Sequence, residues 1–299
     1  MSRFAAIDLS ALAAPPVIEV LDYEDEILIK LVQDFIARLA AMDIDYDVAV
    51  LESDPAKKVL EVAAYRELIL RARVNDAARA VLIPFAKGGD LDVLASYYGV
   101  TRLVITPASG DTPAVMESDT ALRARTQMAP EAFASAGTEE AYRFHTLTVS
   151  GLIKDVNVFS PAPGQAHVVF MTSAGSGIPE PALVEQVRAR LTQKDIKPLT
   201  DMLTVKPMAL KMYAVEAELV IEDGPDATVV IAAARAAAQA YVAKCHKIGV
   251  TLRKSGLIAA LKQTGVEDVR VFTPAADVVQ TREQAPYATA ITVRGAPKF

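Results

Sequence analysis

Few residues in this 299-residue chain have the types and spacing that chemistry requires: three histidines (His145, His167, His246), one cysteine (Cys245), and acids gathered at Asp22–Glu26 and Asp43–Asp54. A metal centre needs several nitrogen, sulfur or carboxylate ligands on one face. Only Cys245 and His246 are neighbours, and consecutive helical residues point about 100° apart, so they cannot both address one ion. Glycoside hydrolysis needs two carboxyl groups about 5–10 Å apart across a cleft. Here the acids sit at helix starts and turns, and a chain with no Trp and 6% aromatic residues lacks a platform for sugar rings. The segment Ala174-Gly-Ser-Gly-Ile-Pro179 precedes a helix, where an anion could rest on free N–H groups. No cation follows closely, and it reads as a mobile strand-to-helix loop. Zincin, nucleophile-elbow, phosphate-loop and dinucleotide-binding patterns are all missing from the sequence. The expectation is a protein that is not an enzyme and has no metal, cofactor or catalytic residue.

The composition agrees with a role in binding. With 52% hydrophobic residues, the chain can fill two or three cores. Lys and Arg number 31 against 37 Asp and Glu, a net charge of −6 with no basic run, which argues against a nucleic-acid partner. One cysteine excludes an intrachain disulfide framework and fits a reducing compartment. The N-terminus does not read as an export signal, because Asp8 interrupts its apolar stretch and Pro15-Pro16 close it. The most apolar segment, 227–245, is rich in weakly hydrophobic Ala and carries Arg235 and Gln239, so it reads as a buried helix, with no membrane partner expected.

Residues 1–21 lack a helical period and suggest an extended arm. From Asp22, an N-cap candidate followed by three acids, apolar residues recur at Ile27, Leu28, Leu31, Phe35, Leu39 and Met42, the pattern of an amphipathic helix. A second helix is expected from Pro55 to about Phe85. Stepping alternately four and three residues from Ala56 lands on Leu60, Ala63, Glu67, Leu70, Val74, Ala77 and Val81. Seven of these eight seam positions are apolar, and this is the period of a coiled coil or helical bundle. Two readings stay open: the first helix covers this seam within the chain, or other chains do. Leu60, Ala63, Leu70, Val74, Ala77 and Val81 are the candidate interface residues.

Gly88-Gly89 should stop the long helix, with Asp90 capping a short one that Gly99 closes. Thr106–Met116, holding Pro107, Gly110 and Pro113, reads as a linker or an edge strand. Beyond it the pattern alternates. Strands are expected at 153–159, 167–172, 203–207, 209–221 and 269–273, and helices at 181–193, 226–246 and 255–263. Lys154-Asp-Val-Asn-Val-Phe-Ser-Pro161 is echoed by Glu267-Asp-Val-Arg-Val-Phe-Thr-Pro274, each after a helix and a glycine. The expected fold class is α+β: an N-terminal helical module with a long bundle-forming helix, then two βαββαβ-like (ferredoxin-like) units. The expected divisions are arm 1–21, helical module 22–103, linker with a short helix 104–137, first α+β unit 138–208 and second 209–299.

Several segments in collinear order resemble the baseplate J proteins of contractile-tailed bacteriophages. They are Glu52-Ser-Asp-Pro55, Ala64-Tyr-Arg-Glu67, Arg73-Val-Asn-Asp-Ala-Ala-Arg-Ala80, Gly89-Asp-Leu-Asp92 and Tyr98-Gly-Val100 in the first third. Leu122-Arg-Ala-Arg125, Ala129-Pro-Glu-Ala132, Ala136-Gly137, Ala141-Tyr-Arg143, the DVNVFSP strand and Lys197-Pro-Leu-Thr-Asp201 follow. Leu252-Arg-Lys-Ser255, Gly265-Val-Glu-Asp-Val269 and Thr273-Pro-Ala-Ala276 complete the series. The acidic run Asp43–Asp54 departs from the family pattern.

The resemblance implies a structural wedge component of a ring around the central hub of a contractile tail, coupling the ring's rearrangement to sheath contraction. Its implied partners are a second copy of itself, a partner wedge protein in a three-way helical bundle, a sheath-initiating baseplate protein, and neighbouring wedges in a six-fold ring. The implied location is the virion tail baseplate, assembled in the host cytoplasm, with the C-terminal domains joining copies and no cofactor implied. Hinges near Thr106–Met116 and near Pro207 would let the ring change diameter. Two other readings stand beside it: a duplicated α+β module binding a small molecule between its units, and a tail-associated cell-wall hydrolase.

Overall fold

The computed structural model describes residues 9, 12–13, 18–46, 54–133, 137–222, 224 and 226–296. Most of the expected arm, Pro15-Pro16 included, and residues 47–53 of the acidic run lie outside the described residues. The fold is mixed α+β and divides into two units: 1–101 with 119–123, and 102–118 with 124–299.

In the first unit Asp22 caps a wide π-type turn, Tyr23–Leu28, by accepting the Asp25 N–H at 3.0 Å. Helix α1 continues it over Ile29–Ala40. Helix α2 spans Pro55–Ala80 and, at 1.5 Å per residue, is about 39 Å long. The Asp54 carboxylate accepts the Ala56 N–H at 3.1 Å, and Pro55 occupies the first turn, where a missing N–H costs nothing. The Tyr46 hydroxyl also donates to Asp54, which pushes the Tyr46 pKa up to about 12. α2 stops at Ala80 instead of running on to Phe85, because Pro84 has no N–H to donate. Helix α3 covers Gly88–Ser96, so Asp90 lies inside its first turn and Lys87 takes the N-cap place expected for Asp90. The Gly88 N–H reaches the Asp119 carboxylate at 3.1 Å.

The second unit opens with a hairpin of β1, Val104–Thr106, and β2, Val115–Met116, so the 106–116 segment pairs with itself rather than running as a free linker. Helix α4, Asp119–Met128, straddles the two units, and its Arg125 Nε donates to the Glu117 carboxylate at 2.8 Å with both side chains buried. Helix α5, Glu139–Val149, is capped by Thr138, which accepts the Ala141 N–H.

A three-stranded sheet follows: β3, Ile153–Phe159, antiparallel to β4, Gln165–Thr172, which runs parallel to β5, Met202–Pro207. α6, Pro181–Leu191, crosses over between β4 and β5. Strand β4 is buried on both faces. Val168 and Phe170 join Tyr142, Val187 and Leu191 in one core, whereas the intervening Val169 and Met171 face Met208, Ile248 and Ala285 in another.

The second sheet has the order β7-β6-β8, from β6, Ala209–Ile221, β7, Val266–Thr273, and β8, Gln284–Gly295. Its core lies under α7, Ala227–Cys245, and α8, Lys254–Leu261, with Val215, Leu219, Ala234, Ala238 and Leu257 at its centre. The expected βαββαβ units need four strands each, but each sheet has three among the described residues, and the connections differ: β3-β4-α6-β5 against β6-α7-α8-β7-β8. The sequence echo marks equivalent places all the same, since β3 and β7 are both edge strands antiparallel to the central strand.

The hinge expected near Pro207 is replaced by packing. β5 passes to β6 through Met208 alone, which is buried and donates its N–H to Phe170 O at 3.1 Å. Asp155 accepts the Ile248 N–H at 2.9 Å, Asn157 Nδ2 donates to Arg282 O at 2.6 Å, and Lys206 Nζ meets Glu283 Oε1 at 2.9 Å. Three polar ties flanking a shared apolar core leave no free joint between the two sheets.

Candidate interaction surface

The long helix α2 presents two faces of different character. One lies against the segment before α1. Ala64 is fully buried there, the Tyr23 hydroxyl donates to Glu61 O at 3.3 Å, and Arg71 Nη1 donates to Val20 O at 3.3 Å. Asn75, also buried, accepts the N–H groups of Ile18 and Glu19, both at 3.0 Å, and donates through Nδ2 to Glu19 O at 2.8 Å. An amide side chain offers a donor and an acceptor in the plane of a peptide bond, so it can hold an extended backbone as a neighbouring strand would.

The other face is uncovered. Of the candidate interface residues, Leu70 is 62% exposed, Val74 47% and Val81 68%, Ala63 and Ala77 are exposed as well, and Leu60 is half-buried toward the covered face. The first helix therefore leaves most of this seam open. Glu67, the polar member of the seam, is paired with Arg71 on the same helix. The heptad count missed Val59, which stands four residues before Ala63 on the same stripe and is 70% exposed. Plotting the helix at 3.6 residues per turn, rather than at the 3.5 of a supercoil, would have found it. Arg66 and Arg73 flank the stripe as a charged rim.

Helix α1 has the same property. None of its residues is buried, although its apolar residues fall on one side, and Ile29 and Ile36 are exposed. Burying a Leu or Val side chain fully is worth about 2 kcal/mol, so the open stripe of α2 alone stores several kcal/mol for whatever covers it. Singly exposed apolar residues are ordinary, but a line of them along one helix is the mark of an association surface.

The chemistry-bearing residues are dispersed. His145 lies on α5, where burial, with the Arg190 charge, pushes its pKa below the usual imidazole value. His167 lies on β4 with Nδ1 3.6 Å from Glu283, and His246 ends α7 with Nδ1 2.7 Å from Pro286 O. Among the described residues no three His, Cys, Asp or Glu side chains gather at metal-binding distance, and no helix is long and apolar enough to cross a membrane. Gly177 of the glycine loop has φ +87° and packs against Met171 and Met208, so the loop is pinned at that end.

Comparison with known proteins gives the family of the chain. The Baseplate J-like N-terminal domain matches residues 52–109, which contain α2, the central domain matches 134–207, and the C-terminal domain matches 213–294. Baseplate protein J of Escherichia phage P2 is 40% identical over 297 residues, covering 95% of each chain. The chain belongs to the baseplate J family. Baseplate J-like proteins are structural proteins of bacteriophage baseplates. In this member the N-terminal family domain carries the exposed stripe, and the central and C-terminal domains coincide with the two sheets.

Proposed function

We propose that this baseplate J-like chain is a wedge component of a contractile phage tail, which works by gripping neighbouring polypeptides and not by catalysis. The observation that carries the reading is the α2 stripe of Val59, Ala63, Leu70, Val74, Ala77 and Val81, which its own chain leaves uncovered. A helix of about 39 Å with small residues among larger ones admits neighbouring helices at close range. In this reading the stripe meets a second copy and a partner wedge protein in a three-way bundle that a sheath-initiating protein contacts. Six wedges then close a ring around the hub. The ring forms in the host cytoplasm, becomes part of the virion tail, and rearranges as the sheath contracts.

Leu70→Asp and Val74→Asp place a carboxylate in the stripe. An unpaired charge buried in an interface costs several kcal/mol, so both variants are expected to lose the partner wedge protein and the second copy in pulldown from phage-producing cells. Both should keep the wild-type circular dichroism spectrum. Intact wedge complexes recovered from either variant would reject the reading.

A further inference from the structure

The uncovered side of α2 is wider than the stripe. At 3.6 residues per turn, Val62, Tyr65 and Ile69 form a second exposed apolar line beside it. Arg66 and Arg73 stand between the two lines. Both are exposed, and at seven residues apart, about 10.5 Å along the axis, they share one row of the helix.

These two cations have no acid to answer them. Every acid of α2 is already engaged on its own helix: Glu61 with Lys58, Glu67 with Arg71 and Asp76 with Arg79. Among the described residues no carboxylate comes within ion-pair distance of Arg66 or Arg73. An arginine that only solvates a surface can stand anywhere on it. Here two stand one heptad apart between apolar lines, and a heptad is the interval at which a facing helix returns to the same side. A guanidinium in that place offers a planar fork of donors, the geometry that a carboxylate accepts.

We propose that this row docks an acidic amphipathic helix of a different polypeptide. Its carboxylates recur seven residues apart and meet Arg66 and Arg73, while its apolar side chains cover Val62, Tyr65 and Ile69. This deepens the wedge reading and rests on it in one respect, that other chains cover α2 in the assembly. Charge selects the occupant. Packed through the same row, α2 of a second copy would bring its own two arginines against these, whether the pair ran parallel or antiparallel. α1 of a second copy carries one acid, Asp34, and none of Glu24, Asp25 and Glu26 before it stands seven residues away, so it can match one arginine at most. An ion pair at the margin between two helices sets which partner binds and in which direction, and apolar burial beside it supplies the affinity.

Zero-length coupling in tails from phage-producing cells tests this. Arg66→Lys and Arg73→Lys keep the charge and add a primary amine, which a carbodiimide joins to a carboxylate only at contact distance. After coupling and proteolysis, tails of the two variants are expected to give peptides that link positions 66 and 73 to two acids seven residues apart in one other protein. Links to a second copy of this chain, links to acids at another spacing, or no links at either position would each overturn the proposal. The double variant Arg66→Glu, Arg73→Glu should lower the yield of assembled tails at least tenfold, and a yield near that of the wild type would also overturn it. A wild-type circular dichroism spectrum would show that the double variant folds. All these variants keep Leu70 and Val74. Wedges that survive Leu70→Asp therefore sink the wedge reading while the links can still appear, and wedges lost in Leu70→Asp, with no links from the lysine variants, sink this proposal alone.

Discussion

Asn75 and Glu19, 56 positions apart, exchange two hydrogen bonds: Glu19 N–H donates to Asn75 Oδ1 at 3.0 Å, and Asn75 Nδ2 donates to Glu19 O at 2.8 Å. With the Ile18 N–H on the same oxygen, one side chain near the C-terminal end of α2 holds the entry segment against the helix. This contact fixes the entry segment on one face of α2 and leaves the stripe of Leu70, Val74 and Val81 exposed.

Asn75→Ala is therefore expected to cost about 1–3 kcal/mol, because buried peptide groups lose their partners. Urea unfolding gives the magnitude, and hydrogen exchange locates it. The Ile18 and Glu19 amides should lose protection while those of the C-terminal sheets keep theirs, and unchanged protection at both would contradict the clamp.

Two substitutions on opposite faces of α2 should behave in opposite ways. Ala64→Asp puts a charge at a fully buried position and is expected to destabilise the chain by several kcal/mol. Val74→Asp, at a position 47% exposed, should change stability by no more than about 0.5 kcal/mol. Denaturation midpoints of the isolated chain distinguish them. Equal losses would mean that the stripe is not free.

Arg125 and Glu117 form a buried ion pair, and the Glu117 carboxylate also accepts the Leu103 N–H at 3.2 Å. Arg125→Met strands the carboxylate and should cost about 3–5 kcal/mol. Adding Glu117→Gln removes the stranded charge while keeping an acceptor for Leu103. The double variant should thus be the more stable of the two in thermal denaturation.

Acid should weaken the fold in two stages. Burial holds the His145 pKa below the ordinary 6.5, so below that pH the unfolded chain takes up a proton more readily and stability falls. Glu283, held below its ordinary 4.5 chiefly by the Lys206 hydrogen bond, adds stability that is present above that pH and lost as pH falls through the carboxylate range. Its partial exposure keeps this second effect small. Melting temperature against pH should lose its first step in His145→Gln and its second in Glu283→Gln.

Local signals made much of the fold legible. Asp22, Asp54, Thr138 and Asp226 all accept an N–H near their helix starts, as their types and positions imply, and 153–159 and 209–221 are strands over those spans. Strand β8 was not legible. Its alanines and Pro286 dilute the β signal, and it holds its place by parallel pairing with β6, a contact between residues far apart in the chain. Asn75 was equally hidden, because nothing local marks a polar residue inside a helix as the holder of a segment 56 positions away.

By itself the sequence determined the class of fold, the family, the long helix and the apolar period along it, because caps, prolines and periodicity act over a few residues. The tertiary structure alone shows which stripe of that helix is exposed, that Pro207 leads into a packed core, and that each of the two larger sheets has three strands among the described residues. Those depend on which distant surfaces meet, and burial is a property of the assembled chain that no short window of residues contains.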